Sequence, residues 1–214
     1  MRETPLVIAI DGPGASGKGT LARLVANHFG LRHLDTGLTY RAVADRLLAD
    51  GADLDDAAAA VAVARHLDFA GLDADRLARH DVGEAASRIA VIPDLRRTLV
   101  AKQRDFARLP PGAVLDGRDI GTIVLPDAPA KLYVTASAEA RARRRALEIA
   151  ERGQHIEEGV VLADLRRRDA RDAGRTDSPM RPASDAFLLD TTELDIEAAF
   201  QAAVDYVNRA IAGR

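Results

Sequence analysis

Two kinds of segment alternate along the chain, short continuous apolar runs and longer mixed stretches with helical character. The apolar runs are typical of strands buried on both faces of a sheet. They occupy residues 6–10, 31–34, 113–115, 131–135 and 186–189. The longer stretches predict helices at residues 18–29, 40–49, 53–67, 84–92, 94–107, 138–152, 157–173 and 195–211. Strands that alternate with helices predict an α/β fold, in which helices cover both faces of a parallel sheet.

Two stretches interrupt this alternation. Residues 68–83 mix Gly, Asp and isolated apolar residues without a clear period, and we expect an irregular segment there. Residues 174–183 contain three helix breakers and three charged residues, which indicates a mobile loop. We also expect the helix before the irregular segment to start at a capping carboxylate, either Asp53 or Asp55.

Composition narrows the class of protein. With 214 residues, 47% of them hydrophobic, the chain has the size and apolar content of one soluble domain. The absence of cysteine excludes disulfides and thiolate chemistry, and the five histidines lack the spacing of metal ligands. A net charge of −3, from 33 acidic and 30 basic residues, argues against a general nucleic-acid binder. No stretch approaches the ~20 apolar residues of a membrane span, so we expect a cytoplasmic protein without a membrane partner.

The clearest chemistry lies directly after the first predicted strand. Residues 12–20 read G-P-G-A-S-G-K-G-T and fit the phosphate-binding pattern G-x-x-x-x-G-K. Glycines allow backbone N–H groups to surround phosphate oxygens, and Lys18 would reach the β- and γ-phosphates. Gly19 stands where Ser or Thr is usual, and Thr20 follows it. We predict that ATP binds to Gly12, Pro13, Gly14, Ala15, Ser16, Gly17, Lys18, Gly19 and Thr20.

Three further segments give the loop a family context. Residues 34–41 read L-D-T-G-L-T-Y-R, residues 114–122 read V-L-D-G-R-D-I-G-T, and residues 168–175 read R-D-A-R-D-A-G-R. Together with the G-K-G-T of the loop, they resemble the bacterial cytidylate kinases, which are P-loop nucleoside-monophosphate kinases. The resemblance covers almost the whole chain. It implies a three-layer P-loop fold with a five-stranded parallel sheet, and transfer of the γ-phosphoryl group of ATP to CMP or dCMP.

The resemblance also implies the residues of the acceptor site. These are Thr36, Arg41, Ser87, Arg96, Arg118, Asp119, Arg168, Asp172 and Arg175. Ser87, Arg96 and Asp119 would read cytosine, because an Arg donor with Asp and Ser acceptors matches the hydrogen-bonding edge of that base. The other residues would bind the phosphate and the pentose. We expect the catalytic residues to be Lys18, Arg118, Arg168 and Arg175.

Simpler interpretations also fit several of these residues. Thr36 and Ser87 suit the N-cap of a helix, and Arg96 suits a surface charge. In the last segment, the i, i+4, i+7 spacing of Arg168, Asp172 and Arg175 is also typical of a solvated helix face with ordinary ion pairs.

The resemblance further implies how the chain is organised. We expect one P-loop kinase domain over residues 1–214, with a short monophosphate-binding lobe at about 51–92 and a mobile lid at about 143–182. The lid would supply phosphate contacts from one or two of Arg141, Arg144 and Arg145. Mg²⁺ would bridge the ATP phosphates, with Thr20 and Asp116 as direct or water-mediated contacts. A monomer is expected.

Two other functions stay open on the sequence. One is a P-loop kinase that acts on UMP, AMP or a small metabolite such as shikimate, although a metabolite kinase has no need of base-reading residues. The other is a non-catalytic ATP-binding regulator, which would show no turnover at kinase-like rates. A GTPase switch is disfavoured because the chain has no Asn-Lys dipeptide, which the base-reading motif of that class requires.

Overall fold

A five-stranded sheet surrounded by helices is the frame of the computed structural model, which describes residues 5–151 and 153–212. The strands are β1 (Leu6–Asp11), β2 (Arg32–Asp35), β3 (Gly112–Gly117), β4 (Ala130–Thr135) and β5 (Phe187–Asp190). The helices of the described residues are α1 (Lys18–His28), α2 (Thr36–Ala49), α3 (Ala57–His66), α4 (Ala74–Leu77), α5 (His80–Ile89), α6 (Pro93–Arg108), α7 (Ala138–Glu151), α8 (Glu158–Ala173) and α9 (Ile196–Ala212).

The strand order is β2-β3-β1-β4-β5, with β1 at the centre. Strand β1 runs parallel to both of its neighbours, β3 and β4, and β4 runs parallel to β5. The carboxyl ends of these strands therefore lie at one edge of the sheet, where ligands of open α/β sheets bind. The prediction of an α/β fold with a five-stranded parallel sheet is confirmed.

The chain divides into two compact units, and the first contains the described residues up to 34 and from 107 onward. Its core lies between the sheet and the helices α1 and α9. Leu21 and Val25 of α1 are spaced by four residues and share one buried face, which packs on Ile8, Ile10 and Leu132 of the sheet. A continuous apolar strand such as β1 is stable only when both of its faces are covered in this way.

The second unit, residues 35–106, is helical and has a core of its own. Val43, Leu47, Ile89, Leu95 and Leu99 are fully buried there, on helices α2, α5 and α6. The predicted monophosphate-binding lobe, residues 51–92, lies inside this unit, and its role stays a prediction.

Two local predictions in the second unit are wrong. Helix α3 is capped by Asp56, whose carboxylate accepts from Ala59 N at 2.9 Å, and not by Asp53 or Asp55. The stretch 68–83 is also less irregular than its composition indicates. It contains a 3₁₀ turn at Phe69–Gly71, the short helix α4 and the first residues of α5. These short turns have capping carboxylates, and they are too brief to produce a periodic apolar pattern.

Helices α7 and α8 form a hairpin in the first unit. Ala142, Val161 and Leu165 make a small buried cluster between them, and Ala15 of the P-loop packs against it. The predicted end of the first of these helices, residue 152, lies outside the described residues. Residues 174–183 form neither helix nor strand, and their mobility stays a prediction. Among the described helices, none combines the length and apolar character that crossing a bilayer requires.

Candidate active site

The loop between β1 and α1 has the backbone conformation of a phosphate cradle. Gly12 has φ 150°, and a Cβ at this position would lie 2.0 Å from the carbonyl oxygen of Val134, so no side chain fits. Gly17 has φ 84° and is the N-cap of α1. As a glycine it has no side chain that could cap α1, and the N-terminus of a helix favours a negatively charged ligand. This backbone suits a phosphate, and the contacts of residues 12–20 with ATP stay a prediction.

A buried carboxylate on β3 lies next to this loop. Asp116 Oδ2 is 4.0 Å from Lys18 Nζ, and Asp116 Oδ1 accepts from His33 Nε2 at 2.8 Å. A Cβ on Gly19 would lie 3.8 Å from Asp116 Oδ2, so the residue without a hydroxyl is the one that faces the carboxylate. Thr20 is exposed, and its hydroxyl accepts from Arg23 at 3.3 Å. Of the two predicted metal contacts, Asp116 faces Lys18 and Thr20 lies on the exposed side of α1.

A cluster of arginines surrounds a second buried carboxylate in the first unit. Arg118 Nε donates to Asp172 Oδ2 at 3.0 Å, and Arg175 donates to Asp172 Oδ1 at 2.5 Å. Burial raises the pKa of Asp172, but the charges of Arg118, Arg175 and Arg168 outweigh that effect and hold the pKa below its usual range. The Asp172 side chain is only 3% exposed, so the interpretation as a solvated face is wrong for it.

This arginine cluster adjoins the P-loop. Arg118 Nη2 lies 3.6 Å from the position that a Cβ on Gly14 would take. Arg175 joins the cluster from beyond the end of α8, so it does not continue the predicted helix face. Residues that are far apart in the chain, at the ends of β3 and α8, thus meet beside the phosphate cradle. The predicted catalytic residues Lys18, Arg118, Arg168 and Arg175 all belong to the first unit.

Asp119 is the second residue of the connection between β3 and β4. It is buried and precedes a π-helical turn at Ile120–Val124. The carboxylate of Asp11, at the end of β1, accepts from Ile120 N and from Gly121 N, each at 2.7 Å. Burial raises the pKa of Asp11 to about 7 against the effect of these two donors.

The remaining predicted acceptor residues lie in the second unit. Thr36 is buried at the start of α2, whose N-cap is Asp35, so the cap interpretation of Thr36 is wrong. Ser87 is buried in the interior of α5, whose N-cap is Arg79, and the same interpretation is wrong for it. Buried hydroxyls at these positions need another explanation than helix capping.

Two arginines of the second unit are held by polar and aromatic groups. Arg96 is 5% exposed, donates to the Ala90 carbonyl at 3.2 Å, and lies over the Tyr40 ring at 5.6 Å. The surface interpretation of Arg96 is therefore wrong. Arg41 donates to the Leu77 carbonyl at 2.7 Å, and a Cβ on Gly83 would lie 2.9 Å from its guanidinium. The roles of these residues toward a nucleotide stay predictions.

The three predicted lid arginines have different surroundings. Arg141 is buried and donates to the Gly14 carbonyl at 3.1 Å and to Asp169 at 2.7 Å. Arg144 donates to the hydroxyl of Thr191 at 3.0 Å, and Arg145 pairs with Glu148 at 2.7 Å. Arg141 therefore ties helix α7 to the P-loop, and Arg144 ties it to the residue after β5. Their contacts with a phosphate stay predictions.

A cavity of about 370 Å³ lies beside the P-loop and was not predicted from the sequence. Its lining includes Gly17, Thr20, Val134, Arg144, Thr191 and Ile196. The lining combines apolar groups with a few polar ones, as small-molecule sites do. The residues after β5 carry no phosphate-binding pattern, and only the parallel sheet brings them next to residues 12–20.

Comparisons with known proteins agree with this geometry. The family model for cytidylate kinase matches residues 8–209. The cytidylate kinases of Brucella suis biovar 1 and Brucella melitensis biotype 1 are each 58% identical to this chain over 208 residues, which cover 97% of this chain and 95% of either relative.

Similarity to solved structures extends to the fold alone. An uncharacterized protein from Eubacterium ventriosum matches with a TM-score of 0.55 at 15% identity, covering 95% of this chain and 98% of that one. A gluconokinase from Sinorhizobium meliloti matches with a TM-score of 0.50 at 15% identity, covering 97% and 94%. The phosphate cradle, the arginine cluster beside it and the full-length match to curated relatives lead to one conclusion: the chain belongs to the cytidylate kinase family.

Proposed function

We propose that the protein transfers the γ-phosphoryl group of ATP to CMP or dCMP, giving ADP and CDP or dCDP. The observation that carries the proposal is the position of the Arg118 guanidinium, whose Nη2 lies 3.6 Å from where a Cβ on Gly14 would stand. It brings the arginine cluster next to the P-loop. The backbone cradle suits the triphosphate of the donor. The arginine cluster suits the phosphate of the acceptor, since planar guanidinium groups bind phosphate bidentately.

The chemistry needs positioning and charge stabilisation more than proton transfer. A phosphate oxygen of the acceptor forms a bond to the γ-phosphorus while the bond from that phosphorus to the β,γ-bridging oxygen breaks, and ADP leaves with the electron pair. No general base is required, because the acceptor phosphate is already ionised at neutral pH. Lys18 and the arginines Arg118, Arg168 and Arg175 would stabilise the charge on the transferring group.

Mg²⁺ is part of the proposal. Among the described residues, no group of three acidic or histidine side chains could hold a metal ion, so the ion would rely on phosphate oxygens and water. The oxygen donors of Asp116 and Thr20 fit a hard cation and would bind its water shell. Once bound, Mg²⁺ supplies charge neutralisation between the β- and γ-phosphates. His33 holds the Asp116 carboxylate at 2.8 Å in the orientation that faces Lys18.

The two nucleotides would be recognised by different surroundings. We propose that the cavity of about 370 Å³ lined by Arg144 and Thr191 receives the base of ATP, because it lies beside the loop that would hold the phosphates. For the acceptor, we assign cytosine to Ser87, Arg96 and Asp119, the pentose to Arg168 with Asp172, and the phosphate to Arg41, Arg118 and Arg175, with Thr36 near the acceptor. The burial of Ser87, Arg96 and Asp119 supports specific roles for their polar groups.

We further propose that the chain acts as a single kinase domain and as a cytoplasmic monomer. Residues 51–92 would form the monophosphate-binding lobe and residues 143–182 the lid, with phosphate contacts from Arg141, Arg144 or Arg145. Closure of a lid excludes water, which limits wasteful ATP hydrolysis.

The test is a coupled assay of ADP formation with ATP and Mg²⁺ against CMP, dCMP, UMP, AMP, GMP and shikimate in parallel. We expect turnover with CMP and dCMP at a rate on the order of 1–100 s⁻¹. Turnover with another acceptor alone would keep the P-loop chemistry and overturn the assigned substrate. No turnover with any acceptor would favour a non-catalytic ATP-binding regulator.

A further inference from the structure

The segment that carries Arg118 and Asp119 has an unusual backbone. It follows β3, and its next residues form the π-helical turn at Ile120–Val124. Such turns are rare and often occur at functional sites, because an isolated π turn is less stable than an α-helical one. Something outside the turn must therefore fix its position.

Asp11 meets this requirement from the neighbouring strand. It is the last residue of β1, pairs in register with Gly117 of β3, and is 3% exposed. Its Oδ1 accepts from Ile120 N and its Oδ2 accepts from Gly121 N, both at 2.7 Å. Each carboxylate oxygen thus binds one backbone N–H group of the turn.

A second buried side chain, that of Lys131, packs next to the turn beside Asp11. A Cβ on Gly121 would lie 3.4 Å from Asp11 Oδ2 and 3.3 Å from Cδ of Lys131. The far end of Lys131 is bound as well, because its amine donates to Asp185 at 2.8 Å and to the carbonyl oxygen of Pro126. The two side chains therefore fill the space next to Gly121, which limits how far the turn can shift.

We propose that Asp11 is a positioning residue for the acceptor nucleotide, which fixes the turn so that Arg118 and Asp119 face CMP. The inference rests on the function proposed above. Both oxygens of Asp11 are occupied by backbone donors and the side chain is buried, so Asp11 acts through the turn and does not touch the substrate. Arg118 and Asp119 both belong to the proposed acceptor site, so the loss of Asp11 should weaken CMP binding more than ATP binding.

The variant Asp11→Asn tests the inference with almost no change of shape. The amide retains one acceptor oxygen but presents an NH₂ group to the second backbone donor, where two donors then oppose each other. Leaving a buried donor unsatisfied is a substantial penalty, and we expect the KM for CMP to rise about tenfold or more. The KM for ATP should stay within about twofold, and discrimination of CMP against UMP should fall.

Asp190→Asn is the matched control. Asp190 is also the last residue of a strand, β5. Its carboxylate also accepts a hydrogen bond from the backbone of a loop, from Thr192 N at 2.8 Å. That loop carries none of the acceptor residues, so the KM for CMP should not change.

Gly121→Ala gives a second test if Asp11→Asn does not fold. Its methyl group presses on Lys131 and Asp11, and it should raise the KM for CMP in the same direction.

The KM values of Asp11→Asn for CMP and for ATP decide whether Asp11 positions the acceptor site or only stabilises the fold. An Asp11→Asn enzyme that is less stable but keeps both KM values would overturn the inference, as would an equal loss of ATP and CMP binding in calorimetry. A wild-type enzyme that fails to phosphorylate CMP would refute the proposed function itself. That outcome is seen before any variant is made, so the two failures are distinguishable.

Discussion

The P-loop and the arginine cluster both suit phosphate, but they are built in opposite ways. The P-loop uses backbone N–H groups of consecutive residues, and glycines such as Gly12 and Gly17 permit its conformation. The cluster uses side chains, and Arg118 and Asp172 are 54 positions apart in the chain. A backbone cradle has its shape before any ligand binds. A set of cations needs a counter-charge when no phosphate is present, and Asp172 supplies it.

The P-loop is held in a strained backbone conformation, whereas the arginine cluster depends on the balance of charges. Ala15 in the P-loop has φ 59°, which a residue with a Cβ adopts at a cost of about 1 kcal/mol or more. The arginine cluster shows no comparable backbone feature in the described residues apart from Ser178, at φ 56° in the loop that follows Arg175. Substitutions in the P-loop and in the arginine cluster should therefore differ in how they affect activity and stability.

The largest effect is expected from Lys18→Ala, which removes the cation of the P-loop. Loss of one preorganised charge in the transition state lowers kcat by about 10²–10³-fold. The fold should stay intact, because His33 still binds the buried Asp116 carboxylate when the Lys18 amine is removed. The coupled assay and thermal unfolding measure the two quantities. Lys102→Ala is the control, since Lys102 donates to the Arg65 carbonyl in the second unit. Wild-type activity in Lys18→Ala would refute the P-loop assignment.

Asp172→Asn should act on stability as well as on activity. Removing one partner of a buried ion pair leaves Arg118 and Arg175 without their counter-charge, which costs about 3 kcal/mol. Urea unfolding should show this loss. Asp164→Asn is the matched control on the same helix, because Asp164 pairs with Arg167 on an exposed face and such pairs contribute about 0–1 kcal/mol. Equal effects of the two substitutions would contradict the central role of Asp172.

Asp119→Ala tests the boundary between phosphate binding and base reading. Uracil has a carbonyl acceptor where cytosine has an amine donor. An aspartate that faces this position disfavours uracil, because two acceptors then oppose each other. Removing the carboxylate should lower the preference for CMP over UMP by about tenfold, seen as the ratio of the two kcat/KM values. Asp127→Ala, an exposed residue on the same connection, should leave the ratio unchanged. An unchanged ratio in Asp119→Ala would remove Asp119 from base reading.

The smallest effect concerns pH, because the two buried carboxylates shift in opposite directions. The pKa of Asp11 is raised from 3.8 to about 7, so the folded state binds this proton more tightly than the unfolded state does. The folded state therefore loses stability as pH rises from about 4 to about 7. Between about pH 6 and 7 the wild type should lose about 1 kcal/mol relative to Asp11→Asn. The pKa of Asp172 is lowered, so its contribution is lost only as pH falls below 3.8. Urea unfolding at a series of pH values measures the stability contributions of both carboxylates. If the free energy of unfolding depends on pH in the same way in wild type and Asp11→Asn, the raised pKa of Asp11 is contradicted.

The sequence predicts the P-loop well because its signal is local. Consecutive residues determine both its glycines and its place between β1 and α1. The acceptor residues were identified through the family resemblance, since no local pattern brings Arg118 and Arg175 to one carboxylate. The hydrogen bond of His33 to Asp116 and the cavity near Thr191 were missed for the same reason. Both depend on strand order in the sheet, which a single sequence does not state.

The hydroxyl of Thr191 donates to the carbonyl oxygen of Ser16 at 3.1 Å, across 175 positions of the chain. On the ribosome the phosphate cradle is synthesised 175 positions before this support. Contacts of such long range form late and slow the folding of a domain. A nascent chain therefore holds an incomplete nucleotide site until β5 joins the sheet.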